Sequence, residues 1–319
     1  MRHSTARVDK FIYDRACARV NFADILQRAT VIEDQTQKDL SVLTARAARR
    51  ALQPDRLAEL LDTDTRDIGQ LQIDGTDVGK IKAAFRACLE RAWAMGLAQA
   101  MDEAAKAKSF AYTESARRVR FASLRDTASE YFDANSFRMA GNVTDAMRAI
   151  IQQELLQAVK TGTRPEDVAA SIYERLINRG LTTLDAVRQQ EPNDNVVLQL
   201  EDALGEALGT ENIPAYLNTL VRTNTFEALN EARYAEFTDP SLGDFVEALR
   251  YSAILDDRTT EICAELHDSV YAVDSDVWET YRPPNHYNCR SVLIAITALD
   301  KWDQVESDPP TVEPQVGFK

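Results

Sequence analysis

The hydrophobic period of this chain changes near residue 245, and this change constrains the fold more than any other feature of the sequence. Before it, apolar residues recur at spacings of three and four, which predicts a succession of helices. After it, ALRYSAILDD alternates apolar and polar residues, and SVYAVDS and RSVLIAIT, which contains an apolar run, are two further short strand candidates. We therefore expect a mainly α protein, in which a helical body is followed by a short antiparallel sheet within a small C-terminal α+β module.

The helical part contains several well-defined candidates. The longest covers VGKIKAAFRACLERAWAMGLAQAMDEAAKAKSF. Its apolar stripe consists of Ile81, Phe85, Cys88, Leu89, Ala92 and Met95. Because Cys88 lies on this stripe, we interpret it as a core residue, and we interpret Cys17 in the same way. A second candidate begins with a cap at Asn142 or Thr144 and ends at Gly162. A third is capped by Thr163 and ends at Gly180.

These patterns divide the chain into four predicted regions. The last is rich in proline and acidic residues, which predicts either a disordered tail or an extended arm that docks on a neighbour. The regions are an N-terminal helical region (1–140), a central helical region (141–240), the α+β module with its Cys/His knot (241–300) and the tail (301–319).

The net charge of −14 indicates a soluble protein whose surface as a whole is not built to attract polyanions. The first fifty residues depart from this balance, since they hold more Lys and Arg than acids. This basic region suits an acidic partner or nucleic acid, or it is a solvated helix face. Four scattered cysteines are not a disulfide framework. No apolar run approaches the roughly 20 residues of a membrane helix, so we expect no membrane association and a reducing cytoplasm.

The chemically active residue types are concentrated in the α+β module, around the segment PPNHYNCR. Cys263, His286 and Cys289 offer three of the four N or S ligands that zinc prefers, and His267 is a tentative fourth. Pro283 and Pro284 would stiffen the turn that carries the pair His286 and Cys289. The alternative is that Cys263 packs under the sheet and His286 bonds to the backbone or to an aspartate.

Some residues of the module also fit two other functions. Three protein ligands plus a water is also the pattern of a catalytic zinc, with Asp256, Asp257 or Glu261 as the base. No glycine-rich loop or oxyanion motif accompanies it. Nucleic-acid binding would use arginines interleaved with tyrosines, but many acids surround them, which is poor for a duplex footprint. The basic and aromatic residues are Arg258, Arg282, Arg290, Tyr281 and Tyr287.

Four segments, in order, resemble the phage minor head proteins of the Mu F-like head morphogenesis family. VRTNTFEALNEARYAEF looks like the family's Arg-Thr helix, and YSAILDDRTTEIC looks like its strand, Asp-x-Arg-Thr turn and cysteine. ELHDSVYAVD looks like its Leu-x-Gly-x-Val-aromatic segment. RPPNHYNCRSVLIAI looks like its Pro-Pro-x-His-x-x-Cys-Arg segment and last strand. With the helix pair before them, the resemblance covers residues 140–300.

The sequence departs from the family at three positions. Many members carry two further cysteines, where this chain has Thr260 and Ser291, and Asp268 stands where a glycine is usual. The resemblance therefore implies a module whose fold does not depend wholly on a metal. We expect no cofactor. Zinc is the one ion that these residues could bind.

The resemblance implies a non-enzymatic minor head protein in the virion, inside or at the portal vertex, after assembly in the host cytoplasm. Such a protein acts in head assembly at the portal or inner shell. Some members of the family are also implicated in DNA packaging or ejection. The partners implied are the portal protein, the major capsid or scaffolding protein and phage double-stranded DNA. The alternatives are a zinc-dependent hydrolase or nuclease and a DNA-binding ejection protein led by the basic N-terminus.

The Arg-Thr helix also allows a structural prediction. Thr223, Phe226, Asn230 and Arg233 share one helical face, which we expect to pack on the module. Arg222 or Arg233 would then pair with an aspartate of the DDRT turn. The alternative is an ordinary amphipathic helix with solvated arginines. The turn consists of Asp256, Asp257, Arg258 and Thr259.

Overall fold

The computed structural model describes residues 20–62, 68–107, 114–191, 194–204, 215–300 and 302–318. Cys17 and four of the eight arginines among the first fifty residues lie outside these ranges. The helices are α1 Phe22–Ala51, α2 Pro54–Asp62, α3 Gly75–Ala107, α4 Glu114–Thr161, α5 Pro165–Asn178, α6 Leu184–Gln190, α7 Asp194–Leu204, α8 Ala215–Phe237, α9 Glu261–Leu266 and α10 Val277–Tyr281. The strands are β1 Val246–Ser252, β2 Val270–Ala272 and β3 Val292–Thr297.

This architecture confirms the predicted mainly α fold with a small antiparallel sheet near the C-terminus. By its contacts the chain forms two compact units. Unit 1 contains the described parts of Met1–Ile32, Leu89–Tyr131 and Arg222–Lys319. Unit 2 contains the described parts of Glu33–Cys88 and Phe132–Val221. Each boundary between the units falls inside a helix, and the four consecutive regions read from the sequence stay a prediction.

The apolar stripe of α3 is buried as predicted, from Ile81 to Met95. The predicted helix start at Asn142 or Thr144 is wrong, because α4 runs through this point without a break. The Thr144 hydroxyl donates to the carbonyl of Ala140 at 3.0 Å, inside the helix, instead of capping a new one. The helix ends before Gly162, whose φ of 66° suits glycine, as predicted.

The next helix, α5, also differs from its prediction at one end. Its N-cap is Arg164, one residue after the predicted Thr163, and Pro165 occupies the first turn. Its C-terminal side is as predicted, because Gly180 has a φ of 76° just beyond the helix. Within unit 2, the Thr182 hydroxyl donates to the carbonyl of Ser41 in α1 at 2.8 Å.

The sheet of the module has the strand order β2-β1-β3, and both pairings are antiparallel. Leu249 of β1 lies opposite Tyr271 on one side and Ala295 on the other. Leu249 and Tyr271 belong to a core cluster with Trp278 of α10 and with α9. The opposite face, which includes Ile294, packs in a second cluster. The strand predicted over ALRYSAILDD ends earlier than its alternating pattern, since β1 ends at Ser252 and Leu255 is 59% exposed.

Within unit 1, α3 and α8 cross closely at Gly96. A β-carbon at this position would overlap the backbone carbonyl of Leu229. Because only glycine allows this approach, Gly96 fixes which faces of the two helices meet. The face of α3 that carries Gly96 also carries Glu103, two helical turns later.

The C-terminal tail, defined as residues 302–318, packs on its own module, and docking on a neighbour stays a prediction. It runs in an extended path over its own module. Trp302 packs on the face of the sheet that holds Ile294, and Val312 packs on the opposite core cluster. These two apolar contacts explain why the tail returns to its own chain. The outer edge of β2, which has no neighbouring strand, offers it further hydrogen bonds. Among the described residues, no helix is long and apolar enough to cross a membrane.

Candidate metal centre

Three predicted ligands meet at one end of the sheet. Cys263 comes from α9, while His286 and Cys289 come from the turn before β3. The Cys263 Sγ lies 3.1 Å from the His286 Nε2 and 3.8 Å from the Cys289 Sγ. The three ligand atoms all lie within 4.8 Å of one another. The structure thus brings together the three residues that the sequence singled out, although they are separated by up to 26 positions.

The first segment of the site is positioned by the DDRT turn. The Thr259 hydroxyl donates to the carbonyl of Ile254 at 2.6 Å and accepts the Asp256 amide at 2.7 Å. The Asp256 side chain accepts the backbone amide of Arg258 at 3.0 Å. This closed network leads the chain from β1 into α9, which places Cys263 under the sheet.

The second segment is tied to the first by an ion pair. Arg290 donates to both carboxylate oxygens of Asp256, at 2.8 and 2.6 Å. This paired hydrogen bond from Arg290 holds the pKa of Asp256 well below its usual range. The side chains of Asp256 and Arg290 are 29% and 15% exposed, so the pair lies at the surface beside the buried sulfurs.

The turn around His286 is compact. Pro283 and Pro284 are buried and joined by a cis peptide bond, and Asn288 adopts a φ of 60°. The Cys289 amide donates to the carbonyl of His286 at 3.3 Å. These features fold PPNHYNCR into a tight corner from which His286 and Cys289 point to the same place.

The pKa values of the two cysteines are shifted in opposite directions. The hydrogen bond from Cys289, followed by those from His286, Ser291 and Tyr251, lowers the pKa of Cys263 to about 3 in spite of its burial. The same bond, together with complete burial, raises the pKa of Cys289 well above its usual value. The two thiols therefore titrate as a pair, and their hydrogen bond favours loss of the first proton. Backbone amides of Ser291 and Asn285 also hydrogen-bond to the Cys289 sulfur.

His286 is stabilised in its charged form by the cluster. Burial lowers its pKa, but the hydrogen bond and charge of Cys263 and the carbonyl of Tyr287 outweigh burial and raise it overall. The Nδ1 of His286 lies 2.7 Å from the Tyr287 carbonyl oxygen, which leaves Nε2 directed at Cys263. This orientation of the ring is the one that a metal ligand needs.

The donor set fits a tetrahedral zinc ion. Zn–S bonds of about 2.3 Å and Zn–N bonds of about 2.0 Å place two sulfurs about 3.8 Å apart and a sulfur and a nitrogen about 3.5 Å apart. The corresponding separations here are 3.8 Å and 3.1 Å. Two cysteine sulfurs and an imidazole nitrogen are ligands that zinc prefers. Metal binding itself stays a prediction.

The fourth position is lined by oxygen rather than sulfur. The Tyr251 hydroxyl lies 3.3 Å from the Cys263 sulfur and 3.9 Å from that of Cys289. The Ser291 hydroxyl lies 3.3 Å from the Cys263 sulfur. Two buried oxygens, the Thr260 hydroxyl and the Asn285 side-chain carbonyl, have no hydrogen-bond partner in the described part of the chain. The cluster is therefore more polar than a closed apolar core.

His267, the tentative fourth ligand, is not brought into the cluster. Its Nδ1 accepts the amide of Ala253 at 3.1 Å, and its Nε2 lies 3.2 Å from the carboxylate of Asp268. Burial lowers the pKa of His267. The physical reason is its position at the end of α9, which directs the ring back towards β1 rather than towards Cys263.

The predicted face of α8 does pack on the module. The Thr223 hydroxyl accepts the Asn288 amide at 3.0 Å, and Phe226 packs against Val292 at the start of β3. The side chain of Asn230 donates to the carbonyl of Ser291 at 3.0 Å. These contacts bind the Arg-Thr helix to the turn that carries His286 and Cys289.

The predicted pairing of Arg233 with Asp256 or Asp257 is wrong. Arg233 is buried and forms an ion pair with Glu103 of α3. It also donates to the carbonyl of Leu293 at 3.0 and 2.7 Å. A buried guanidinium needs a buried carboxylate, whereas Asp256 lies at the surface and is held by Arg290. The pairing of Arg222 with this turn stays a prediction.

Glu103 was missed in the sequence. Its Oε1 accepts the amide of Ala295 at 2.7 Å, and its other oxygen accepts from Arg233, so it joins α3, α8 and β3. The available signal was an acid that continues the apolar stripe of α3, two helical turns after Gly96. That signal identifies a buried position but not its partner.

Comparison with known proteins supports the resemblance. Residues 149–294, which include the whole Cys/His cluster, match the family model for Phage Mu protein F like protein. The chain is 28% identical over 165 residues to the putative capsid assembly protein F of Escherichia phage Mu, covering 52% of this chain and 34% of that relative. It is 36% identical over 84 residues to the Mu-like prophage FluMu F protein of Haemophilus influenzae, covering 26% of this chain and 20% of that relative.

These alignments span about a third and a fifth of the length of the two relatives. No solved structure matches the chain. The agreement of the family model with both relatives confirms the resemblance predicted from the four sequence segments.

Proposed function

We propose, from the match of residues 149–294 to the Mu F-like family, that this protein takes part in the assembly of a phage head. The observation that carries the proposal is the match of this region to a relative whose name is putative capsid assembly protein F. The matched region includes α8, the sheet of the module up to Ile294 and the Cys/His cluster.

The geometry of the cluster favours a structural role over catalysis. Cys263 is 3% exposed and Cys289 is fully buried, so a substrate has little access to the ion that they would bind. The cluster joins α9 to the turn before β3, and the ion pair of Arg290 with Asp256 lies beside it. A structural zinc site is closed in this way, whereas a catalytic site keeps an accessible position.

If zinc binds, Cys263, His286 and Cys289 hold it. The ion supplies a cross-link between segments that are far apart in sequence, and its binding free energy adds to folding. The Arg290–Asp256 pair and the contacts of Asn230 then orient the two segments from outside. The buried oxygens of Tyr251 and Ser291 complete the surroundings of the two sulfurs.

The finer proposal places the protein in the virion, at the portal vertex or inner shell. The portal protein and the major capsid or scaffolding protein are its proposed partners, and phage DNA is a further one through packaging or ejection. The family resemblance supports this location. An acidic chain can also lie near DNA without binding it tightly, since its net charge is −14.

The test is to find the chain in the particle. We expect mass spectrometry of purified heads to detect it at low copy number, and a cryo-EM map to place it at one vertex. A phage without the gene should yield few complete heads, and an Arg233→Ala gene should rescue it poorly because the module is weakened.

The matched control is Arg258→Ala, which removes an arginine whose side chain is 67% exposed. It should rescue head formation fully. Normal heads from the deletion, or absence of the chain from every head intermediate, would contradict the proposed function. Stoichiometric zinc together with a hydrolytic activity that His286→Ala abolishes would favour the enzyme instead.

A further inference from the structure

The C-terminal tail contacts both segments that carry the cysteines and histidine. It reaches α9, which holds Cys263, through Glu265. It reaches the turn that holds His286 and Cys289 through Asn285 and Tyr287.

Glu265 fastens the middle of the tail to α9. One carboxylate oxygen accepts the amide and the hydroxyl of Thr311, at 2.9 and 2.7 Å. The other oxygen accepts the amide of Val312 at 3.0 Å. A carboxylate that accepts three donors binds more strongly than a neutral acceptor would. Val312 also packs against the core cluster that contains Cys263, so this contact combines hydrogen bonds with apolar burial.

The end of the tail closes over the second segment. The Gln315 amide donates to the carbonyl of Asn285 at 2.9 Å, and the Gln315 side chain accepts the amide of Tyr287 at 3.3 Å. The ring of Phe318 meets that of Tyr287 edge to face, with centroids 4.9 Å apart. Asn285 and Tyr287 flank His286, so the tail covers the turn beside the cluster.

The tail is less firmly held than the module beneath it. Val305 is 51% exposed and Val316 is 96% exposed, so much of the apolar surface of the tail remains in water. Segments with few buried contacts open at a smaller free energy than the core of a domain. The tail can therefore leave while the sheet stays folded.

We infer that the tail is a strap that holds the Cys/His cluster closed, and that the hydrogen bonds of Glu265 anchor this strap to α9. When the strap leaves, α9 and the turn lose the bridge between them, and the sulfurs of Cys263 and Cys289 become accessible. The strap thus controls how fast this cluster reacts with thiol reagents or exchanges a metal. This inference does not depend on head assembly, and it holds with or without zinc.

The experiment measures the reaction rates of individual cysteines with an aromatic disulfide reagent, in the full chain without metal. Each modified cysteine is identified by mass spectrometry. We compare the unmodified sequence, a chain that ends at Gln304, and Glu265→Ala. Reaction at Cys263 and Cys289 should accelerate about tenfold or more in the shortened chain, and by a smaller factor in Glu265→Ala.

Two controls separate the strap from general destabilisation. Glu261→Ala removes an exposed acid from the same helix and should leave both rates unchanged. Cys88, buried in α3 within unit 2, is an internal reference and should keep its slow rate in every variant. Equal acceleration at Cys88 would overturn the inference, since it would mean global unfolding. Unchanged rates at Cys263 and Cys289 without the tail would overturn it as well.

A second measurement uses zinc itself. The chain is incubated with zinc sulfate, freed of excess metal and mixed with a chromogenic chelator. Faster transfer of zinc from the shortened chain than from the full chain supports the strap, and equal transfer rates contradict it. If the chain holds no zinc, the proposed metal centre fails, while the cysteine rates still decide the inference.

Discussion

The two outer edges of the module's sheet are closed by side chains, but these come from different parts of the chain. The edge of β3 is capped from α3 and α8, since Glu103 accepts the Ala295 amide and Arg233 donates to the Leu293 carbonyl. The edge of β2 is capped by the tail. The Val270 amide donates to Ser307 at 2.9 Å, and the Ala272 amide donates to Glu306 at 2.8 Å.

The difference between the edges lies in burial. Glu103 and Arg233 are 2% and 1% exposed, whereas Glu306 lies in water. A bare edge strand is a template for pairing with another chain, so both caps prevent association. The cap on β3 cannot leave without opening the core, but the cap on β2 can. One edge is therefore permanently closed and the other is closed reversibly.

The largest expected effect comes from breaking the buried pair at β3. Arg233→Met leaves the carboxylate of Glu103 buried with one partner fewer. Removing one partner of a buried ion pair lowers the free energy of unfolding by about 3–5 kcal/mol. Urea unfolding followed by circular dichroism measures this loss.

The matched control for this prediction is the double variant Glu103→Met with Arg233→Met. It removes both charges, so we expect it to be more stable than the single variant Arg233→Met. A double variant that is less stable than both single variants would mean that the pair holds the sheet edge chiefly by its hydrogen bonds to Leu293 and Ala295, and not by mutual charge compensation.

The sequence predicts the β3 edge only in part. The four residues on one face of α8, from Thr223 to Arg233, follow from helical spacing, and the strands follow from alternation. Glu103 lies 130 positions from Arg233, and its role depends on the close crossing at Gly96. Spacing along one helix says which residues share a face, but it does not say which distant helix this face meets.

The β2 edge and the Cys/His cluster could also be predicted from the sequence only in part. Cys263, His286 and Cys289 could be grouped from residue type and spacing, because few other residues in the module bind zinc. His267 met the same criterion and lies elsewhere, since its ring is turned by the end of α9. The composition of the tail predicts a disordered or extended segment, but it does not identify the surface of its own module that the tail contacts.

An intermediate effect is expected at the β2 edge. In a chain that ends at Gln304, the amides of Val270 and Ala272 lose their acceptors and should exchange with solvent about tenfold faster or more. The amides of Leu293 and Ala295 should keep their rates, because Asn230 and Glu103 still accept them. Hydrogen–deuterium exchange, read on peptides from β2 and β3, tests both edges in one experiment.

The reference for this experiment is Val316→Ser, which changes an exposed side chain of the tail. It should leave the exchange of β2 and β3 as in the unmodified chain. Equal acceleration at β3 would show that the tail supports the whole sheet, and the distinction between a permanent and a reversible edge would be lost.

The smallest effect is expected from the ion pair Arg290–Asp256. It has the same charges as the buried pair, but both of its side chains are partly exposed to solvent. Arg290 lowers the folded pKa of Asp256, so this carboxylate stabilises the fold above the pKa of an unfolded aspartate, about 3.9. That contribution is lost as the pH falls through the folded pKa. Asp256→Asn should therefore lower the urea midpoint slightly at pH 7, and the difference from the unmodified chain should shrink towards pH 3. Asp257→Asn, at the exposed neighbouring position, is the control and should change the midpoint less at pH 7. A loss at pH 7 as large as that of Arg233→Met would mean that charge pairing, and not burial, sets how firmly this module is closed.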